Sequence, residues 1–168
     1  VFNAVLLLIG ILAGIVHIAV KRKSLDRAGK IELFLLYCLV FGVGIVGANA
    51  FIMHVFFPEH VAPMIGWEMS PFETEVGIHD GAWALLGFLA IWMKGRFWHA
   101  VVIGWSFFMT GAGIGHIKEA VVYGNYAPYN YGMIFFDIGE ALLLIVLWIV
   151  WMRLSSNKHK TYGNMSRP

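Results

Sequence analysis

Glu75 and His79 are four residues apart, His116 and Glu119 three apart, and Asp137 and Glu140 three apart. On a helix each of these pairs shares a face, so a single helix can present two ligands to one ion. Carboxylate with imidazole is a donor set that suits iron, zinc or manganese. His54 and Asp80 complete the candidate set. His54 is an additional ligand near the end of an apolar run, and Asp80 is the carboxylate that would accept the second ring N–H of a ligating histidine.

Inward Glu and His at such spacings build the di-metal centres of ferritin-like bundles. Here His116-x-x-Glu119 reverses the usual Glu-x-x-His order and Glu75-x-x-x-His79 is spaced by four, so the comparison is one of chemistry and not of kinship. The charge count points the same way. Glu75, Asp80, Glu119, Asp137 and Glu140 fall inside apolar stretches with Lys118 as the nearby basic residue. The uncompensated charge of about four is what two divalent ions would offset. An open coordination position would bind water or dioxygen and make such a centre a redox site. Two other readings are available to the same residues. One is a metal-free polar or proton-handling network that fastens the bundle. The other is a b-type haem held by His79 and His116 as axial ligands, against which the crowding carboxylates speak.

For these side chains to meet, the elements that carry them must be helices in a bilayer. Of the 168 residues 60% are hydrophobic and 13% charged, with a mean hydropathy of +0.74. A soluble domain carries about a quarter charged residues, so both a soluble domain and a disordered chain are excluded. The net charge of +2 is too small to indicate a nucleic-acid partner, and the single cysteine, Cys38, cannot close a disulfide within the chain.

Charged and turn residues divide the chain into five apolar runs: Phe2 to Val20, Leu33 to Phe57, Phe72 to Met93, Trp98 to Tyr123 and Tyr131 to Met152. Each is near the roughly 20 residues a helix needs to cross the hydrocarbon, and all are too long and too uniformly apolar for barrel strands. The expected fold is therefore all-α, an integral membrane bundle of five transmembrane helices forming one domain over residues 1–168, with residues 153–168 as a basic tail. At about 1.5 Å per residue, the candidate groups on the last four spans come to one depth. Ser70, Pro71, Phe72 and Glu73 read as a capping box with proline at the first helical position, which gives Glu73 a structural task and removes it from the site.

Eleven of the twelve lysines and arginines fall in the first loop, the third loop and the tail; Lys118 is the exception. Basic residues favour the cytoplasmic side, so the tail is expected in the cytoplasm and the amino terminus outside, in a cell membrane of the inner or plasma type. The candidate layer then lies in the outer leaflet. The sequence starts at Val1 rather than methionine, which leaves room for preceding residues or a processed leader. The first run itself lacks a basic n-region and a small-residue cleavage site and is expected to be a true span.

The stretch from Phe72 to Glu119 carries Phe72-x-x-Glu75-Val76-Gly77, small residues from Gly81 to Gly87, and Gly115-His116-Ile117. It resembles an uncharacterised family of small multispan prokaryotic membrane proteins, a domain of unknown function. The resemblance implies a helical membrane protein with Glu75 and His116 as motif positions and names no substrate; His79 and Asp80 depart from its pattern. The expected function is an integral membrane metal-binding protein with a carboxylate and histidine site. The alternative is a non-catalytic accessory subunit of a larger membrane complex, or a homo-oligomer, whose acidic cluster is structural.

Overall fold

The computed structural model describes residues 2–165, with side chains over 2–156. Among these residues there are helices and no strands: α1 (Phe2–Val20), α2 (Arg27–Phe56), α3 (Pro58–Ile65), α4 (Phe72–Leu89), α5 (Arg96–Tyr123) and α6 (Pro128–Met165). Six helices replace the five expected. The additional one, α3, lies in what reads as a loop. It is set up by Pro58 at its first position, where the missing N–H costs nothing, and is ended by Gly66 in the left-handed region. α6 also continues past Met152, so the backbone of the basic tail up to Met165 prolongs the helix.

Among the described residues four helices are long and apolar enough to cross a membrane: α1, α2, α5 and residues Pro128–Ser156 of α6. α4 is an 18-residue helix that carries Glu73, Glu75 and Asp80. Large apolar side chains such as Leu8, Leu12, Phe107, Ile114, Phe135 and Val146 are exposed on the outside of the bundle, as expected where lipid replaces water.

With lipid outside and apolar side chains inside, burying hydrocarbon does not by itself bring helices together, and small residues that permit close approach take over. α2 and α4 show this most fully. A side chain at Gly87 would meet the backbone of Gly44, one at Gly81 would meet Phe51, and one at Gly77 would meet His54 and Val55. The partner numbers fall as the α4 numbers rise, so the two helices run antiparallel. Gly44 lies in Leu39–Ile45, where α2 widens into a π-helical stretch. α1 packs antiparallel on α2 through Gly10 against Phe41 and Gly14 against Tyr37, and α5 packs on α6 through Gly113 against Ile138. Gly111 and Gly115, on the same helix as Gly113, have open space beside them. A buried cluster that includes Leu35, Leu39, Trp98, Val102, Trp105 and Leu144 fills the bundle toward its basic end. The candidate site begins above Trp105 and Met109.

Candidate functional site

The buried face of α4 is formed by Glu73, Gly77, Asp80, Ala84 and Gly87. This helical stripe of small and acidic residues faces α2. Opposite it, the close crossing of α5 and α6 at Gly113 brings His116 and Asp137 together, with His116 Nε2 3.7 Å from Asp137 Oδ2. Asp80, His116 and Asp137 are 4%, 6% and 1% exposed. All three line one cavity of about 380 Å³, together with His54. Its remaining wall is almost wholly apolar and aromatic, including Trp67, Trp105, Phe108 and Tyr129. Asn3 on α1 and Asn49 on α2 close it from the other side, joined by an Asn49 Nδ2 to Asn3 Oδ1 hydrogen bond of 2.9 Å.

Asn130 fixes the orientation of His116. The amide nitrogen of Asn130 donates to the backbone carbonyls of His116 at 3.2 Å and Asn125 at 3.1 Å. Its Oδ1 is therefore the atom facing His116 Nδ1, 2.7 Å away. A carbonyl oxygen only accepts, so Nδ1 carries the proton and donates, and Nε2 of the neutral ring is left as an acceptor turned toward Asp137. Trp67 stacks on the ring with centroids 5.5 Å apart and an interplanar angle of 14°.

Among the described residues Asp137 has no hydrogen-bond partner on either carboxylate oxygen. It lies within electrostatic reach of Glu140 and Asp80. Glu140 is buried one turn deeper on α6. Its Oε1 accepts from Trp105 Nε1 at 3.2 Å, and its Oε2 has no partner. The same carboxylate occupies the space that a side chain at Gly42, within the π-helical stretch, would fill. Among the described residues no lysine or arginine pairs with Asp80, Asp137 or Glu140.

Of the eight candidate residues, four thus share the cavity: His54, Asp80, His116 and Asp137. Glu140 lies beneath it. Glu119 lines an adjoining cavity of about 630 Å³ with Glu68 and Glu73. Glu75 and His79 are exposed on another face of α4. His79 Nε2 accepts from Trp83 Nε1 at 2.9 Å, and its ring packs edge-on against Phe108. The in-helix spacing of Glu75 and His79 places them on a common face, but that face is turned away from the cavity. Among the described residues no three His, Cys, Asp or Glu side chains form a group able to hold a metal ion, so metal binding finds no support in the geometry. His79 does not line the cavity that His116 faces, which leaves the pair without the common space a haem would need.

Glu73 corrects the capping-box reading. α4 starts at Phe72 with Pro71 at the cap position and no side-chain cap, and it is the backbone N–H of Glu73 that donates to Ser70 O at 3.1 Å. The Glu73 side chain turns inward, where its Oε2 is 2.6 Å from His54 Nδ1. His54, Trp67 and Val76 belong to the walls of both cavities, so this hydrogen-bonded pair stands at their junction. Asn130, Trp105 and Glu73 are the site residues absent from the candidate set. For Glu73 a signal is present, its place four and seven residues before Gly77 and Asp80.

The chain belongs to DUF6790, a family of unknown function, which matches residues 1–157. The resemblance carried by Phe72 to Glu119 therefore extends over nearly the whole sequence. No curated protein and no solved structure matches it.

Proposed function

We propose that this chain is a membrane-embedded cation-binding protein whose guest occupies the cavity beside Asp137. The observation that carries this reading is the carboxylate of Asp137, 1% exposed, lining a cavity and lacking any hydrogen-bond donor on either oxygen. Burying a carboxylate without partners is strongly unfavourable, and the penalty persists inside a membrane. Groups kept at such a cost mark function more often than packing. A guest that brings one positive charge would neutralise Asp137.

In this reading α4 is the fifth membrane-crossing helix, held in the bundle by its stripe against α2, and the acidic cavities open to the outside. The basic loops on the opposite side support that sidedness. Tyr126 is 67% exposed in the loop between α5 and α6, while the native Cys38 is buried. A Tyr126→Cys variant is therefore expected to react with a membrane-impermeant maleimide added to intact cells. Reaction only after the cytoplasmic side is opened would reverse the orientation.

Binding is tested by the thermal stability of the detergent-purified protein across chloride salts of alkali, ammonium, guanidinium and alkylammonium cations. At about 100 times its Kd a bound cation stabilises by about 2.7 kcal/mol. At least one cation is expected to raise the unfolding midpoint saturably in the wild type and not in Asp137→Asn. The reading fails if none does. Stoichiometric iron, zinc or manganese that survives purification and is lost from the variant would replace it with the metal centre that residue spacing favours.

A further inference from the structure

We infer that the guest is a protonated organic amine with an apolar body, and that its N–H groups are shared between Asp137 and His116. The inference rests on the cation-binding reading and specifies it. Three independent features of the cavity lead to this class.

The first is the pair of acceptors. Asn130 holds the proton of His116 on Nδ1, so with the ring neutral and Asp137 ionised the 3.7 Å gap between His116 Nε2 and Asp137 Oδ2 separates two acceptor atoms. Among the described residues nothing donates to the Asp137 oxygens. A group with at least two N–H donors and a positive charge satisfies both atoms together, as a primary or secondary ammonium does. An alkali ion supplies the charge but no donors, so it leaves His116 Nε2 without a hydrogen-bond partner.

The second is the remainder of the wall. Beyond its carboxylates, His54, His116 and the hydrogen-bonded Asn3 and Asn49, the cavity is bounded by apolar and aromatic side chains such as Trp67, Trp105, Phe108, Met53 and Met109. A small hydrated ion gains nothing from such a surface, whereas a hydrocarbon body buries area against it. Aromatic faces add attraction for an alkylammonium carbon shell. The volume of about 380 Å³ falls within the range of small-molecule pockets, about 300–1,000 Å³.

The third is the approach. The adjoining cavity carries Glu68, Glu73 and Glu119 and shares His54, Trp67 and Val76 with the chamber. Carboxylates around a recess raise the local concentration of cations. An amine attracted there meets the chamber directly behind the His54 and Glu73 pair.

Calorimetric titration of the purified full chain with phenethylammonium, phenethyl alcohol and the trimethylated phenethylammonium tests the three features separately. Phenethylammonium is expected to bind saturably and about tenfold or more tighter than the alcohol, as a charge-assisted hydrogen bond predicts. The trimethylated ion, which keeps the charge and loses the N–H donors, is expected to bind more weakly than the amine. Asp137→Asn should weaken the amine about tenfold or more. Ala112→Phe, which fills the cavity and leaves every carboxylate in place, should abolish binding and serves as the readout if the first variant does not fold. Equal affinity for amine and alcohol overturns the inference, as does amine binding that survives both variants. Equal affinity for the amine and its trimethylated form overturns the shared N–H geometry. If an alkali ion stabilises the protein through Asp137 while the amine does not bind, the amine is wrong and the cation-binding reading stands; if no cation of either kind binds, both fail.

Discussion

Gly87→Val is expected to prevent α4 from seating on α2. A Cβ at Gly87 would overlap the backbone of Gly44 and stand 2.9 Å from the carbonyl carbon of Val43. Flexible side-chain tips can swing away from an added methyl group, but helix backbone cannot. Overpacking a closed site costs about 1–3 kcal/mol and occasionally more, and here the obstacle is backbone on both sides, so the upper end of that range or beyond is expected. The stripe that delivers Asp80 and Glu73 to the cavity would separate from its partner with it. Thermal unfolding in detergent should show a large loss of stability, or no monodisperse folded protein. Gly111→Ala is the control, since nothing lies within 4 Å of its Cβ position. Replacing glycine by alanine in a helix interior stabilises by about 1 kcal/mol, so this variant should be at least as stable as the wild type. Wild-type stability in Gly87→Val would mean that the two helices are not in backbone contact.

The same pair of helices shows where the sequence is legible and where it is not. Runs of apolar residues between charged loops mark α1 from Phe2 to Val20 with the boundaries the structure has, because hydropathy alone decides what enters a bilayer. Hydropathy says nothing of which face a residue occupies, since apolar side chains suit both the lipid and the interior. On α4 the inward face is written in small and acidic residues, Glu73, Gly77, Asp80, Ala84 and Gly87. Successive residues turn by about 100°, which puts His79 well away from Asp80 although the two are adjacent. Spacing within a helix thus identified true pairs, such as Glu75 with His79, without fixing which pair looks inward. The π-helical stretch at Leu39–Ile45 is harder still to foresee. Its widening adds no polar residue, and nothing in the spacing of Gly42 and Gly44 announces that Glu140 and Gly87 lie against them. Depth is the property the sequence conveys best: His54, Asp80, His116 and Asp137 come from four helices to one cavity.

Asp137→Asn is expected to stabilise the protein when no guest is present. In the wild type the Asp137 oxygens lack donors and face the acceptor Nε2 of His116 across 3.7 Å, with Glu140 and Asp80 near by. An amide in the same place is uncharged and brings an NH2 group that can donate to Nε2, so an acceptor facing an acceptor becomes a donor facing an acceptor. A buried group without partners costs about 1–3 kcal/mol, more when charged, and removing that penalty should raise the unfolding midpoint accordingly. A carboxylate that merely fastened the bundle would behave in the opposite way, because breaking a network destabilises its remaining partners. Adding a cationic guest should then invert the order of the two proteins. The wild type gains about 2.7 kcal/mol at 100 times the Kd, while the variant, which has lost the charge that holds the guest, gains little. The two opposing effects are of similar size, so the unfolding midpoints should cross as the guest concentration rises. A variant less stable than the wild type at every concentration would assign Asp137 to structure and remove the cavity from function.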